Sequence, residues 1–335
     1  MKFSEKQIKL ILLMLLAIVV FLIPVFVKNQ GYIQIFIVVM FFMYIATAWN
    51  FVGGFAGVLP LGNAAFIAIG AYTSTILFVQ YGVSPWVGML AGGIISAVIG
   101  IIIGLPTFKL RGAYFALATI AFGEGIKVLF QNIDKIGSIN VGGARGILIS
   151  YSGDSFANFQ WVSRVPYYYI ILIMLIILLV ITVFLMNSKM GYYLTAGGED
   201  PEAAASLGVN VAKYKLIAMA LSAFFTAIAG TFYAQWILYI LPKSVGSIDL
   251  SFEIAFIAII GGRGTIIGPI LGALLLKPLG ELTRTYLGGA LPGLHLFILG
   301  LILVLVMIYQ PRGIQEVLTK IFNRFVKKMV TIKRS

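Results

Sequence analysis

The polar segment Gly191–Lys215 holds the side chains best placed to bind another molecule. Three of the eleven acidic residues of the chain lie in it, followed at once by a run of three alanines. Acidic groups near a first helical turn complement the helix dipole, and alanine has the best helix propensity. Proline suits that first turn, and glycine suits the left-handed cap. The pattern predicts a short, capped, exposed helix made for contact with a partner. Its residues are Glu199, Asp200, Pro201, Glu202, Ala203, Ala204 and Gly208.

Bond-making chemistry has no comparable support in this sequence. The chain has neither a G-x-x-x-x-G-K-[ST] phosphate loop nor a G-x-S-x-G nucleophile motif. Its single histidine, His295, cannot supply the paired imidazoles of a metal or haem site, and there is no cysteine. We therefore predict no catalytic residue, no cofactor site and no metal site, and we expect a protein that is not an enzyme.

Two glycine-rich breaks interrupt the apolar pattern, one in each half of the chain: 53–66 and 261–269. Interrupted apolar segments in both halves of a transporter indicate its pathway, because irregular backbone at membrane depth must line a cavity. The alternative is that small residues only allow close helix packing, which is our interpretation of Gly88–Gly92 and Gly100–Gly104. The candidate pathway or gate residues are Asn50, Gly53, Gly54, Gly57, Asn63, Glu124, Gly261, Gly262 and Gly264.

Polar residues near these breaks have two interpretations each. Asn50 and Asn63 flank the first break, where they could form hydrogen bonds in a cavity or only cap helix ends. Glu124 is a charge within an apolar run and is a functional candidate for that reason, although Lys127 at i+3 could neutralise it locally. Glu253 begins an apolar run and could lie at the membrane interface.

The elements that must position these residues are membrane spans. The chain is 61% hydrophobic and 10% charged, and its apolar residues form non-alternating blocks of spanning length. We predict one all-α polytopic transmembrane domain over residues 1–335 with about ten spans. Eight are possible if the short pieces 251–260 and 265–276 form a hairpin that does not cross. The remaining predicted spans are a retained first span at 8–27, then 32–52, one ending near residue 81, 85–105, 113–131, 167–186, 214–239 and 294–309.

Basic residues orient these spans. An even number of spans puts both termini on one side, and sixteen of the twenty-four Lys and Arg residues then lie on that side. The positive-inside rule makes this side cytoplasmic, which explains the net charge of +13 without nucleic acid. The polar loop 187–213 is then predicted inside, the long loop 132–166 outside, and the basic tail 310–335 inside.

Five segments resemble one family of transport proteins. EAAASLG at Glu202–Gly208 is similar to the E-A-A-x-x-x-G signature in the cytoplasmic loop of ABC importer permeases. Over nearly its whole length the chain resembles LivM-type permease subunits of high-affinity branched-chain amino-acid importers, part of the branched-chain amino-acid/sugar permease superfamily. The segments that carry this resemblance, in order, are Gly53–Tyr72, Gly104–Glu124, Glu199–Leu216, Gly261–Leu276 and Tyr309–Ile314.

This resemblance implies a non-catalytic subunit that carries leucine, isoleucine or valine through the cytoplasmic membrane of a bacterium or archaeon. It implies a homologous second permease (LivH-type), two cytoplasmic ABC ATPase subunits that hydrolyse ATP, an external substrate-binding protein and membrane lipid as partners. The Gly198–Gly208 segment would be the coupling helix, seated in a cleft of an ATPase.

Several positions depart from the family pattern. Gly197-Gly198 stands where the family usually has a hydrophobic residue and an arginine, Asn63 where it has histidine, Pro60 where it has serine, and Arg263 where it has a hydrophobic residue. These departures leave the cargo open, with a sugar, nucleoside, urea or amide importer of the same superfamily as the alternative. A stand-alone secondary transporter, which needs no ATPase, is the alternative from another class.

Overall fold

A computed structural model describes residues 18–287, and between 300 and 320 it describes residues 300, 301, 304, 308, 310, 313–316, 319 and 320. The basic N-terminus, the first half of the predicted first span, most of the predicted last span, His295 and most of the basic tail lie outside the described residues.

The first half of the described chain is a series of long helices. Residues 18–26 are helical, and four numbered helices follow. Three of their ends match the sequence prediction closely: the second helix ends at Tyr81, Pro85 opens the third, and Ala113 opens the fourth. The helices are α1 Gln30–Asn50, α2 Ala64–Tyr81, α3 Pro85–Thr107 and α4 Ala113–Asn132.

The second half alternates long helices with short ones. By length and composition, seven helical stretches among the described residues are able to cross a membrane, so the chain is a polytopic helical membrane protein. They are Gln30–Phe55, Ala64–Tyr81, Pro85–Thr107, Ala113–Asn132, Val165–Met186, Val211–Ile237 and Pro242–Gly262. The helices of this half are α5 Val165–Met186, α6 Lys189–Glu199, α7 Pro201–Ser206, α8 Val211–Ile237, α9 Pro242–Val245, α10 Ile248–Gly262 and α11 Gly268–Leu287.

Helix α1 lies in the core of this bundle. It contacts α5, α8, α10 and α11, and almost every residue from Ile37 to its end is buried. Helices α2, α3 and α8 pack together beside it. A Cβ at Gly88 would lie 2.8 Å from Ser74 Cα, and one at Gly92 3.1 Å from Gly70 Cα, so backbones approach closely there. The glycines of α3 therefore serve helix packing, as their spacing predicts.

The predicted loop 132–166 has a structure of its own. Strands β1 (Lys135–Ile136) and β2 (Ile139–Asn140) form an antiparallel hairpin, and β3 (Ile147–Leu148) pairs with β4 (Tyr239–Ile240). Gln80 at the end of α2 donates to the Asn140 carbonyl at 2.6 Å and accepts from the Asn140 N–H at 3.1 Å. We call this end of the bundle the hairpin end.

A small turn in the same segment depends on a carboxylate. Asp154 accepts from the Tyr151 hydroxyl at 2.5 Å and from the Val162 N–H at 2.8 Å. These two hydrogen bonds lower the pKa of Asp154, because they favour its charged form. These hydrogen bonds therefore stabilise the folded chain at pH values above the unfolded-state pKa of an aspartate, about 4. The stabilisation is lost as the pH falls through the folded-state pKa of Asp154.

Candidate functional site

The predicted capped helix forms as α7. The Asp200 carboxylate accepts from the N–H groups of Glu202 and Ala203, both at 3.0 Å, and Pro201 occupies the first turn. Gly208, just beyond the helix, has φ +84°, the left-handed conformation that glycine adopts without strain. Glu199 is placed differently from the prediction, since it ends the preceding helix α6 and Asp200 starts a new one.

Helix α7 is largely open to solvent. Leu207 is 86% exposed, whereas Ala204 is buried against the rest of the chain. The Glu202 carboxylate meets the guanidinium of Arg111, in the turn between α3 and α4, at 3.1 Å. Both side chains are more than three-quarters exposed, so this ion pair contributes little to stability. An acidic and apolar surface thus remains available to a partner.

The last turn of α6 lies directly on the first glycine break. A Cβ at Gly198 would come within 2.6 Å of the Phe55 carbonyl oxygen, and one at Gly57 within 2.5 Å of the Gly198 oxygen. Gly57 also has φ +70°. The two backbones therefore touch, and the glycine at 198, a departure from the family pattern, is required by this contact. A cavity of about 540 Å³ lies beside the contact, between the 108–112 turn and Asp200–Glu202.

The first break continues α1 as irregular backbone inside the bundle. A π-helical turn, Phe51–Phe55, is followed by non-helical residues 56–63. Side chains of α1 and α4 form hydrogen bonds with two backbone groups of this irregular segment. The Trp49 indole N–H donates to the Pro60 carbonyl at 2.8 Å, and the Leu61 N–H donates to the Thr119 hydroxyl at 3.0 Å. Such compensation is what non-helical backbone needs within a membrane.

A single buried asparagine joins the two glycine breaks. Asn50 Oδ1 accepts from the Gly264 N–H at 3.0 Å, and its Nδ2 donates to the Thr265 carbonyl at 2.8 Å. Gly54 lies beneath this amide and next to Gly264, where any side chain would overlap both. Asn50 therefore connects backbone segments more than 200 residues apart and does not serve as a simple cap. We call the end of the bundle that holds both breaks and α7 the break end.

The other glycines of the breaks have packing contacts of their own. Gly53 lies under the Trp49 ring, and Gly261 packs against the first turn of α11. Gly262 has φ +130° and lies beside Gly313, which belongs to the described part of the chain beyond residue 300. Gly261, Gly262 and Gly313 keep the turn between α10 and α11 compact, because no side chain separates the backbones.

Asn63 does not cap α2 with its side chain. It is 2% exposed, and its Nδ2 donates to the Ser222 hydroxyl of α8 at 3.3 Å. The next residue, Ala64, donates its N–H to the Ser251 hydroxyl of α10 at 3.0 Å. Three elements thus converge where α2 begins. The serines and Thr119 were missed by sequence reasoning, since isolated hydroxyl residues in apolar helices have no local signal.

Glu124 lies apart from this group, on α4 beyond Gly123 and towards the hairpin end. It pairs with Lys127 one turn later, as its spacing predicts. A second ion pair joins Glu253 of α10 to Lys277 of α11, and the Lys277 ammonium lies 3.1 Å from the centre of the Phe42 ring. The sequence contained a signal for this pair, because an unpaired charge in an apolar helix is costly.

The seven spans in the described part of the chain define a multi-pass membrane protein. Within it, one amide joins two segments of irregular backbone, and α6, which precedes the exposed helix α7, touches the first of them. No group of three His, Cys, Asp or Glu side chains among the described residues could hold a metal ion. Residues 31–307 match the protein family described as "branched-chain amino acid transport system / permease component". The chain belongs to this family of permeases.

Relatives with known names agree with this membership. The chain is 32% identical over 311 residues to the high-affinity branched-chain amino acid transport system permease protein LivM of Salmonella typhimurium, covering 86% of this chain and 71% of that protein. The corresponding protein of Escherichia coli is 31% identical with the same coverage. A nucleoside ABC transporter permease, NupC of Lactococcus lactis, is 25% identical over 71% of this chain and 76% of its own length. No solved structure matches the chain significantly.

Proposed function

We propose that this chain is the membrane permease subunit of an ATP-driven importer for leucine, isoleucine and valine. Helix α7 is the element that a partner ATPase grips. The observation that carries this proposal is the backbone contact between Gly198 and Gly57, which ties the exposed α7 region to the first glycine break. A displacement of α7 would therefore be transmitted to the break through backbone contact, with no flexible side chain in between.

Asn50 extends this connection to the second break. Its amide holds the backbone of Gly264 and Thr265, so the turn between α10 and α11 must respond when the first break moves. The π-helical turn that follows Asn50 suits such movement, since π-turns are frequent at functional sites of this kind. ATP binding at the partner would thereby shift both breaks together and alternate the access to the pathway.

The break end faces the cytoplasm in this proposal. Its short turns and helix starts are rich in basic residues, as the positive-inside rule requires. The same orientation turns the hairpin end towards an external substrate-binding protein, and it leaves ATP hydrolysis to two ATPase subunits beside a second, homologous permease. The basic residues at the break end are Lys109, Arg111, Lys189, Lys213, Lys215 and Arg263.

Charge reversal at Glu202 tests the docking role of α7. Glu202→Arg in the assembled transporter should abolish most uptake and weaken co-purification of the ATPase, while membrane insertion is retained. Because Glu202 also contacts Arg111, the matched control is the swap Arg111→Glu with Glu202→Arg, which restores that pair with reversed polarity. Uptake that returns in the swap would assign Glu202 to the intrachain pair and refute docking. Normal uptake and ATPase association in Glu202→Arg alone would refute it as well.

The cargo needs a separate test, because a nucleoside permease is among the relatives. The complete transporter, with its binding protein, is reconstituted and ATP hydrolysis is measured with leucine, isoleucine, valine, ribose or a nucleoside added. We expect stimulation by the three amino acids. Stimulation by ribose or the nucleoside alone would keep the ATP-driven mechanism and replace the cargo. Uptake that requires an ion gradient and no ATPase would support a secondary transporter instead.

A further inference from the structure

A charged pocket lies between α4 and the turn that joins α9 to α10. Its volume is about 440 Å³, within the range of small-molecule sites. The turn packs against α4 and α2, since a Cβ at Gly246 would lie 3.4 Å from the Lys127 Cβ and 3.6 Å from the Ala68 Cβ. We call it the charged pocket. The residues that line it are Glu124, Lys127, Val128, Gln131, Lys243, Ser247, Ile248 and Asp249.

The pocket contains equal numbers of positive and negative side chains, and only one of each forms an ion pair. Two carboxylates face two ammonium groups, and Glu124 is already paired with Lys127. Among the described residues, neither Lys243 nor Asp249 takes part in an ion pair. One positive and one negative group therefore share a pocket without neutralising each other. A ligand that carries both charges on adjacent atoms would satisfy both groups at once.

The pocket adjoins the first glycine break from the hairpin-end side. Gly123, next to Glu124, packs against Gly62, where a Cβ would lie 3.2 Å from the Gly62 Cα. On the opposite wall Ser251, two residues beyond Asp249, accepts from the Ala64 N–H. Both walls of the pocket thus continue into the segment that leads through the break. A molecule held in the pocket would lie beside this segment, on its hairpin-end side.

We propose that the charged pocket binds the α-ammonium and α-carboxylate groups of an amino acid as it enters from the hairpin end. Asp249 receives the ammonium, Lys243 receives the carboxylate, and Val128 and Ile248 contact an apolar side chain. The Glu124–Lys127 pair supplies the opposite wall and keeps its own charges neutralised. The inference rests on the proposed amino-acid cargo, since sugars carry neither charge.

Protection of a single cysteine tests occupancy directly, because the natural chain contains none. Val128→Cys, whose side chain lines the pocket, is introduced into the purified transporter without its binding protein, and its rate of reaction with a small thiosulfonate is measured. We expect leucine to slow the reaction and ribose to leave it unchanged. Leu148→Cys on β3, a 70% exposed position at the same end, should react at one rate with or without leucine.

Charge removal then identifies the groups responsible. Lys243→Gln or Asp249→Asn, combined with Val128→Cys, should raise the leucine concentration needed for protection about tenfold or more, the usual effect of losing a charge-assisted hydrogen bond. The matched control is Lys135→Gln, an exposed lysine outside the pocket, which should leave protection unchanged. An unchanged reaction rate of Val128→Cys in the absence of leucine shows that each charge variant keeps the pocket folded.

The outcomes separate this inference from the proposed function. Amino-acid uptake by the natural protein without any protection of Val128→Cys would overturn the pocket and leave the transporter intact. Equal protection by ribose, or full protection in both charge variants, would overturn recognition of the two charges. If the complete transporter moves no amino acid, the proposed cargo fails, whatever the cysteine shows.

Discussion

At the scale of single residues, Asn50 and Gly198 connect what would otherwise be separate parts. The Asn50 amide uses its oxygen as an acceptor and its nitrogen as a donor, both on backbone groups of the opposite break. Gly198 offers no side chain at all, which allows α6 to touch the backbone of Phe55 and Gly57. Glycine at position 198 is therefore a packing requirement in this chain.

A methyl group at Gly198 should separate α6 from the break. Gly198→Ala places a Cβ against the Phe55 carbonyl, and overpacking of this kind typically costs about 1–3 kcal/mol. We expect uptake to fall several-fold, because the displaced α6 no longer passes its movement directly to the break, while the transporter still assembles. Proteoliposome uptake and thermal unfolding measure the two effects.

The matched control is Gly125→Ala on α4, where a Cβ would meet no atom within 4 Å. Uptake should stay unchanged there, and stability should rise by up to about 1 kcal/mol, because alanine is the better helix former. Uptake at the natural rate in Gly198→Ala would show that the contact carries no force.

At the scale of elements, α1, α10 and α11 are held together by a charge inside the bundle. Lys277 pairs with Glu253 and covers the Phe42 ring, so each of the three helices contributes one group. A cation between an aromatic face and a carboxylate is stabilised by both. This arrangement anchors the helices on either side of the turn that Asn50 holds.

Lys277→Met should destabilise the bundle by leaving Glu253 without its partner. Loss of one member of a fully buried pair costs about 3–5 kcal/mol. We expect roughly 1–3 kcal/mol here, because the Glu253 side chain is 43% exposed. Unfolding of the purified protein in detergent with increasing denaturant gives the value.

The double variant Lys277→Met with Glu253→Gln removes both charges and should be more stable than Lys277→Met alone. Together with the single variant Glu253→Gln, the cycle isolates the interaction energy of the pair. Destabilisation in the double variant equal to the sum of the two single variants would mean that the two charges do not interact.

At the scale of the whole molecule, the two ends of the bundle have distinct compositions and, in the proposed function, distinct tasks. The break end gathers α7, both breaks and a set of basic turns, whereas the hairpin end carries the two small sheets. The α10–α11 turn lies at the break end, because Gly264 contacts Asn50. A turn at the break end favours ten spans, because the eight-span alternative requires a hairpin that does not cross the membrane. The number of spans stays a prediction.

Single cysteines can establish the orientation in a chain that has none of its own. With a membrane-impermeant maleimide on intact cells, Ala157→Cys at the hairpin end should be labelled and Leu207→Cys beyond α7 should not. Arg263→Cys should behave like Leu207→Cys, since both lie at the break end. Labelling of all three after the cells are opened is the control. Arg263→Cys labelled from outside would favour eight spans.

Features whose causes are local could be predicted from the sequence. Hydrophobic blocks predict spans wherever they occur, and the cap, proline and glycine of α7 lie within eleven residues of one another. The motifs that carry the family resemblance are equally contiguous. Helix ends such as Tyr81 and Pro85 follow from the same short-range rules.

Tertiary structure alone decided which of these features act together. The partners of Asn50 lie 214 and 215 residues away, Thr119 reaches Leu61 across 58 residues, and Lys277 meets Glu253 from another helix. Such contacts depend on how helices pack, and the packing depends on shapes that no local pattern encodes. Gly198 is an example, because only the folded structure shows that its backbone lies against the first break, where a side chain would not fit.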